Sequence, residues 1–139
     1  MIKHYDATGQ FPYLVKTHEE HARKMNMVFG KPAPLPHCLM FAFGEAAIHD
    51  HDVQVSVLRQ VRPTPPLDVL YQGLKTPALI VTGDNDLVVS PASVHTLAKV
   101  FPDSTIRVMK GAGHLPMVDH PKRAARDYLD FRAKLASAS

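Results

Sequence analysis

Three side chains in the later part of this 139-residue chain have types and spacing suited to proton chemistry: Asp84, Asp86 and His114. The two acids lie in Thr82-Gly83-Asp84-Asn85-Asp86, directly after the apolar run Ala78-Leu79-Ile80-Val81. His114 follows Gly111-Ala112-Gly113, after an alternating segment from Ile106 to Lys110. A carboxylate that orients an imidazole, and stabilises it once protonated, forms the acid–base portion of a nucleophilic triad. The same residues have plainer uses. Gly-Asp-Asn-Asp is good turn chemistry, and a histidine in a glycine-containing turn can be purely structural.

Asp86 and His114 are 28 positions apart, so only the fold can bring them together. The run 78–81 is short and rich in β-branched residues, with Pro77 before it and Gly83 after it. It predicts a strand buried on both faces, as in a parallel sheet. Ser90-Pro91 predicts a helix cap with proline at the first helical position. Val94, Leu97, Ala98 and Phe101 share that helix's face, and Pro102 ends it. Ile106, Val108 and the stem of Lys110 alternate with Arg107 and Met109 as a second strand. A last helix starts near Asp119 or Pro121, with Ala124, Ala125, Tyr128, Phe131 and Leu135 on one face. Its basic residues Lys122, Arg123, Arg126, Arg132 and Lys134, mixed with Asp119, Asp127 and Asp130, read as a solvated face. Strand, helix, strand, helix is a βαβα unit of a parallel sheet, and the fold class is α/β. The edge at the C-terminal ends of such strands is where catalytic groups gather.

The first half is irregular and helical. Thr17 and Glu20 form a T-x-x-E capping box opening a helix through about Phe29, with Gly30 as its stop. Pro32, Pro34 and Pro36 mark a break. Val53, Val55 and Val57 alternate as in a strand, while Val53, Val57, Leu58 and Val61 fit a helix face; the reading favours a helix capped by Asp50 or Asp52. Leu67, Leu70, Tyr71 and Leu74 suggest a further short helix. The spacing of His18 and His21 is not that of H-E-x-x-H, and His49 and His51 point apart, so these histidines, with Asp50 and Asp52, are expected to be surface residues and no metal site is expected.

Longer stretches resemble a known family. Lys75 to Val89 is similar to the acid-bearing strand and loop of α/β-hydrolase-fold enzymes, whose pattern is P-[TA]-L-hydrophobic-hydrophobic-x-G-x-x-D-x-x-V. Phe101-Pro102, then Val108-Met109-Lys110-Gly111-Ala112-Gly113-His114-Leu115-Pro116, resembles the family's G-x-G-H-x-P segment, and Asp119-His120-Pro121 its E-x-P continuation. The resemblance runs over about residues 66–135. It implies that Asp86 is the triad acid and His114 the base, with Asp84, at a variable position, the lesser candidate. Residues 1–65 resemble the helical cap of the esterase/perhydrolase-like branch, in which Met25, Met27 and Met40 would pack the cap or line an acyl pocket. The expected organisation is thus a cap-like region over 1–65 and a C-terminal α/β-hydrolase segment over 66–139. The family's G-x-S-x-G nucleophile elbow does not occur in this sequence, and Ser56, Ser90, Ser93 and Ser104 lack its glycines.

The resemblance implies an esterase-like serine hydrolase, acting on a small acyl substrate without a cofactor, whose nucleophile comes from an upstream segment or another chain. The alternative is a non-catalytic domain of the same descent that oligomerises or binds a partner. Expected partners are a second copy or a complementing N-terminal half. A net charge of +3, scattered along the chain, gives no reason to expect nucleic acid. No apolar run approaches the ~20 residues of a membrane span, and the N-terminus has no signal-peptide core, so a cytoplasmic protein without a membrane partner is expected. Cys38 is the single cysteine, which excludes an intrachain disulfide.

Overall fold

The computed structural model describes Thr8 and residues 11–29, 35–61 and 64–138. Its elements are α1 (His18–Val28), α2 (His37–His49), α3 (His51–Val61), α4 (Leu67–Leu70), β1 (Ala78–Gly83), α5 (Ser93–Val100), β2 (Ser104–Met109), α6 (Pro116–Asp119) and α7 (Pro121–Ala138). They fall into two compact units, Met1–Asn26 with Pro32–Thr64, and Met27–Lys31 with Pro65–Ser139.

The first unit is helical. Thr17 caps α1 by accepting the Glu20 N–H on Oγ1 at 3.1 Å. The Glu20 carboxylate reaches back to the Lys16 N–H at 2.7 Å, one residue beyond the usual capping-box partner. The expected stop at Gly30 and the breaks at Pro32 and Pro34 lie outside the described residues. Pro36 sets the start of α2, a helix the sequence conceals because Leu39, Met40, Phe41, Phe43 and Ile48 surround its axis without a single apolar stripe.

Gly44 is the buried residue of α2, and it faces the rings of His18 and His21 on α1. This corrects the surface assignment for two histidines. His21 is 4% exposed, and His51 is half-buried, donating Nδ1–H to the Val15 carbonyl at 3.1 Å. His18 stacks on Phe41 with ring centroids 4.4 Å apart and donates Nε2–H to Glu45 at 2.6 Å. His49 is exposed, as expected, beside Asp50.

The expectation of a helix over Val53 to Val61 holds, but its apolar face does not point inward. Val53, Val57 and Val61 are exposed, while Gln54, Val55 and Leu58 are half-buried. Asp50 is the C-cap of α2, and its carbonyl also accepts the Gln54 N–H of α3 at 3.0 Å. Met25, Met27 and Met40 are each half-buried.

In the second unit β1 and β2 pair in parallel, from Ala78 opposite Ser104 to Gly83 opposite Met109, with α5 between them in sequence. Ile80, Val94, Val100, Met109, Ala112 and Phe29 are the buried apolar residues here. The predicted inward alternation of β2 is out of phase: Met109 is fully buried and Val108 is exposed. Leu79 and Val81 are half-buried, so β1 is less enclosed than its composition suggests.

Ser90-Pro91 does not cap α5. Its residues form the preceding turn, and the helix begins at Ser93 after Ala92. On α7 the half-buried residues are Ala124, Asp127, Phe131 and Leu135, whereas Ala125 and Tyr128 are exposed. The inward face is rotated toward Asp127 because that carboxylate meets Arg107 of β2 at 3.6 Å and Arg123 at 3.9 Å. Asp119 is also buried, so neither acid belongs to a solvated face.

Among the described residues, no helix is long and apolar enough to cross a membrane, and no group of three or more side chains is arranged to hold a metal ion.

Candidate active site

Two loops leave the C-terminal ends of the paired strands. The first, after Gly83, carries Asp84 and Asp86; the second, after Met109, carries His114. The ladder carries on into both loops, with Asp84 N–H bonding the Met109 carbonyl at 3.1 Å and Asn85 N–H the Ala112 carbonyl at 3.0 Å. So close an approach requires glycine at 83, where an added Cβ would run into the carbonyl oxygens of Ala112 and Gly113. Gly111 turns the second loop with a φ of +74°, a conformation other residues rarely adopt.

The histidine loop is fastened at successive backbone positions. Gly111 N–H donates to Asp84 Oδ1 at 2.6 Å, and Gly113 N–H to Asp119 Oδ2 at 2.8 Å. His114 N–H then bonds the carbonyl of Val28, the last residue of α1, at 2.8 Å. Asp84 is thus a tie between the two loops rather than a partner of the imidazole. Asp119 is a positioning residue that sequence reasoning assigned to the surface. Its place five residues after the histidine and two before the Pro121 helix start was the available signal.

Asp86 meets His114 directly. His114 Nδ1–H donates to Asp86 Oδ2 at 2.9 Å. The other carboxylate oxygen, Oδ1, accepts the N–H groups of Val88 at 2.8 Å and Val89 at 2.9 Å. The Asp86 side chain is only 6% exposed and the His114 ring 36%. Burial pushes the Asp86 carboxyl up, but the Val89 and Val88 N–H groups and the imidazole outweigh it, and the net effect is downward. Asp86 is therefore an ionised acceptor at neutral pH, which puts the neutral ring's proton on Nδ1. Nε2 is left with its lone pair, on a ring that solvent can reach. An imidazole in this state can take a proton at Nε2 and be stabilised as imidazolium by the carboxylate behind it.

No protein-family model matches the chain. It is similar to Lipase 1 of Psychrobacter immobilis, 28% identical over 127 residues that make up 89% of this chain and 40% of the relative. Lipase 3 of Moraxella sp. (strain TA144) is 27% identical over 124 residues, 87% of this chain and 39% of the relative. Among solved structures, that of a membrane phospholipase A described as a bacterial virulence factor superposes with a TM-score of 0.86 at 25% identity, covering 96% of this chain and 43% of the other. The chain spans about two fifths of the length of the curated relatives it matches. With helical segments ahead of a parallel strand pair, and similarity to lipases and to a phospholipase, the chain has the fold of part of an α/β hydrolase.

Proposed function

We propose that this chain supplies the acid–base pair of a serine hydrolase acting on carboxylic esters. Asp86 holds His114 in the Nδ1–H tautomer. Nε2 takes the proton from a serine hydroxyl as its oxygen attacks the ester carbonyl. The protonated ring returns that proton to the departing alcohol, leaving an acyl-enzyme, and then activates the water that releases the acid. The reaction as written takes no cofactor. The serine is not on a G-x-S-x-G elbow of this sequence, so the reading assigns it to an upstream segment or another chain.

The observation that carries the reading is the 2.9 Å bond from the His114 ring to a carboxylate already held by two backbone N–H groups. A carboxylic ester is the favoured substrate class because both relatives named above are lipases.

The test is complementation. Alone, the chain should not turn over p-nitrophenyl butyrate. Co-refolded with the remainder of the Psychrobacter immobilis Lipase 1 chain, it should gain activity, and His114→Ala should remove that gain. Activity that survives the substitution overturns the assignment.

A further inference from the structure

The histidine loop opens with a tight turn whose central peptide is held from both sides. Ala112 N–H returns to the Met109 carbonyl at 3.3 Å, Gly111 has a φ of +74°, and Lys110 keeps a negative φ. Together these define a type II turn over residues 109–112. In such a turn the C=O of the second residue and the N–H of the third point to opposite sides. Here the Lys110 carbonyl accepts His120 Nε2–H at 3.1 Å, and the Gly111 N–H donates to Asp84 Oδ1 at 2.6 Å. One peptide is therefore gripped by a carboxylate from the loop after β1 and by a half-buried imidazole from the junction of α6 and α7.

Type I and type II turns differ mainly by a half-turn of this central peptide. Flipping it here would set the Lys110 oxygen against the Asp84 carboxylate and the Gly111 N–H against the His120 donor. Two bonds would be lost and two repulsive contacts made. The contacts beyond the turn depend on it. Asn85 N–H bonds the Ala112 carbonyl at 3.0 Å, and Asp86 Oδ2 accepts from the His114 ring at 2.9 Å. Asp84, Asn85 and Asp86 thus hold Gly111, Ala112 and His114 as successive rungs, and the first rung sets the spacing for the other two. From the opposite side Asp119 holds Gly113, and the adjoining His120 holds Lys110.

We infer that Asp84 and His120 are positioning residues for His114: they lock the Lys110–Gly111 peptide against flipping, and so keep the loop where its imidazole reaches Asp86. The inference rests on the function proposed above and deepens it. Both residues act through this one peptide. The two grips share the load, so the lock fails only when both are gone and the turn itself is biased the other way.

Gly111→Ala supplies that bias. A type II turn demands a positive φ at this position and a type I turn does not, so alanine pulls the peptide toward the flipped form. The charge-assisted bond to Asp84, with the His120 bond, outweighs the strain of one alanine. In the free chain, nuclear Overhauser effects distinguish the two forms. The Hα of Lys110 lies close to the N–H at position 111 in type II, and the Lys110 N–H does so in type I. Gly111→Ala alone should keep the type II pattern. Adding Asp84→Ala and His120→Ala should convert most molecules to the type I pattern and move the His114 Nδ1 chemical shift away from its native value. Asp84→Asn with His120 intact should restore type II, because an amide oxygen still accepts. A flip in Gly111→Ala with both grips present would overturn the lock, as would type II surviving without either. In the complemented hydrolase, the flipped variant should lose about tenfold or more in kcat, with KM within about twofold of native. Undiminished kcat in a flipped variant overturns the positioning role. Should the native chain and the remainder of Lipase 1 never hydrolyse ester, the functional reading fails, and the free-chain spectra still decide the lock.

Discussion

The carbonyl oxygen of Ala112 occupies the space that a side chain on Gly83 would need. One loop is packed against the other through bare backbone, and the separation of Asp86 from His114 depends on that contact.

Gly83→Ala should therefore do more than destabilise. Overpacking against backbone costs ~1–3 kcal/mol, because carbonyls cannot step aside as a flexible side chain would. The 2.9 Å contact between His114 and Asp86 should lengthen as the loops separate. Urea denaturation gives the stability change, and nitrogen NMR of the His114 ring reports the contact.

Asp86→Asn keeps the shape but not the charge. An amide can present either its oxygen or its NH2 to Nδ1, so the ring should lose its fixed tautomer, which nitrogen chemical shifts read directly. In the complemented hydrolase, activity should fall ~10³-fold or more, as expected when a triad acid no longer dictates the tautomer.

The same substitution should alter acid stability. Asp86 titrates below its ordinary value in the folded chain. Its carboxylate thus contributes stability above about pH 3.9, where the unfolded chain is also ionised, and loses it as pH falls through the lower folded value. Denaturation midpoints between pH 2 and 5 should drop more steeply for the native chain than for Asp86→Asn.

His21 should give the helical unit a different pH dependence. Burial, reinforced by Lys24 and His18, holds its imidazole below the ordinary value. Between that value and about pH 6.5 the unfolded chain binds the extra proton, so stability declines as pH falls from about 6.5. Far-ultraviolet circular dichroism in denaturant should show this slope, and His21→Gln should flatten it. An unchanged slope would assign the titration to another group.

Gly44→Ala should reverse a familiar sign. Replacing a mid-helix glycine by alanine usually stabilises by ~0.5–1 kcal/mol. Here a Cβ would lie 2.6 Å from His18 Nδ1, on a ring held between Phe41 and Glu45, so thermal unfolding should shift downward.

The two-loop arrangement was legible because its signals are local. A short β-branched run behind Pro77, a capping box at Thr17 and glycines at 83, 111 and 113 each constrain backbone within a few residues. Less legible was whatever depends on a distant partner. α2 is apolar around its axis, so periodicity could not reveal it. The phase of β2 was misread because Met109, not Val108, lies on its buried side. The inward turn of α7 follows Asp127, a residue that composition alone places in solvent. Asp119 was hidden in the same way, since its partner is the backbone of a loop rather than another charge.

The ties on the histidine loop also bear on how the molecule comes apart. Gly111 is held by Asp84, Gly113 by Asp119 and His114 by Val28, so the loop leans on the loop after β1, on α6 and on the end of α1 at once. A segment anchored this way has no low-energy opening of its own. On heating, His114 should keep its place until the sheet itself melts, giving one cooperative transition where a surface loop would fray early.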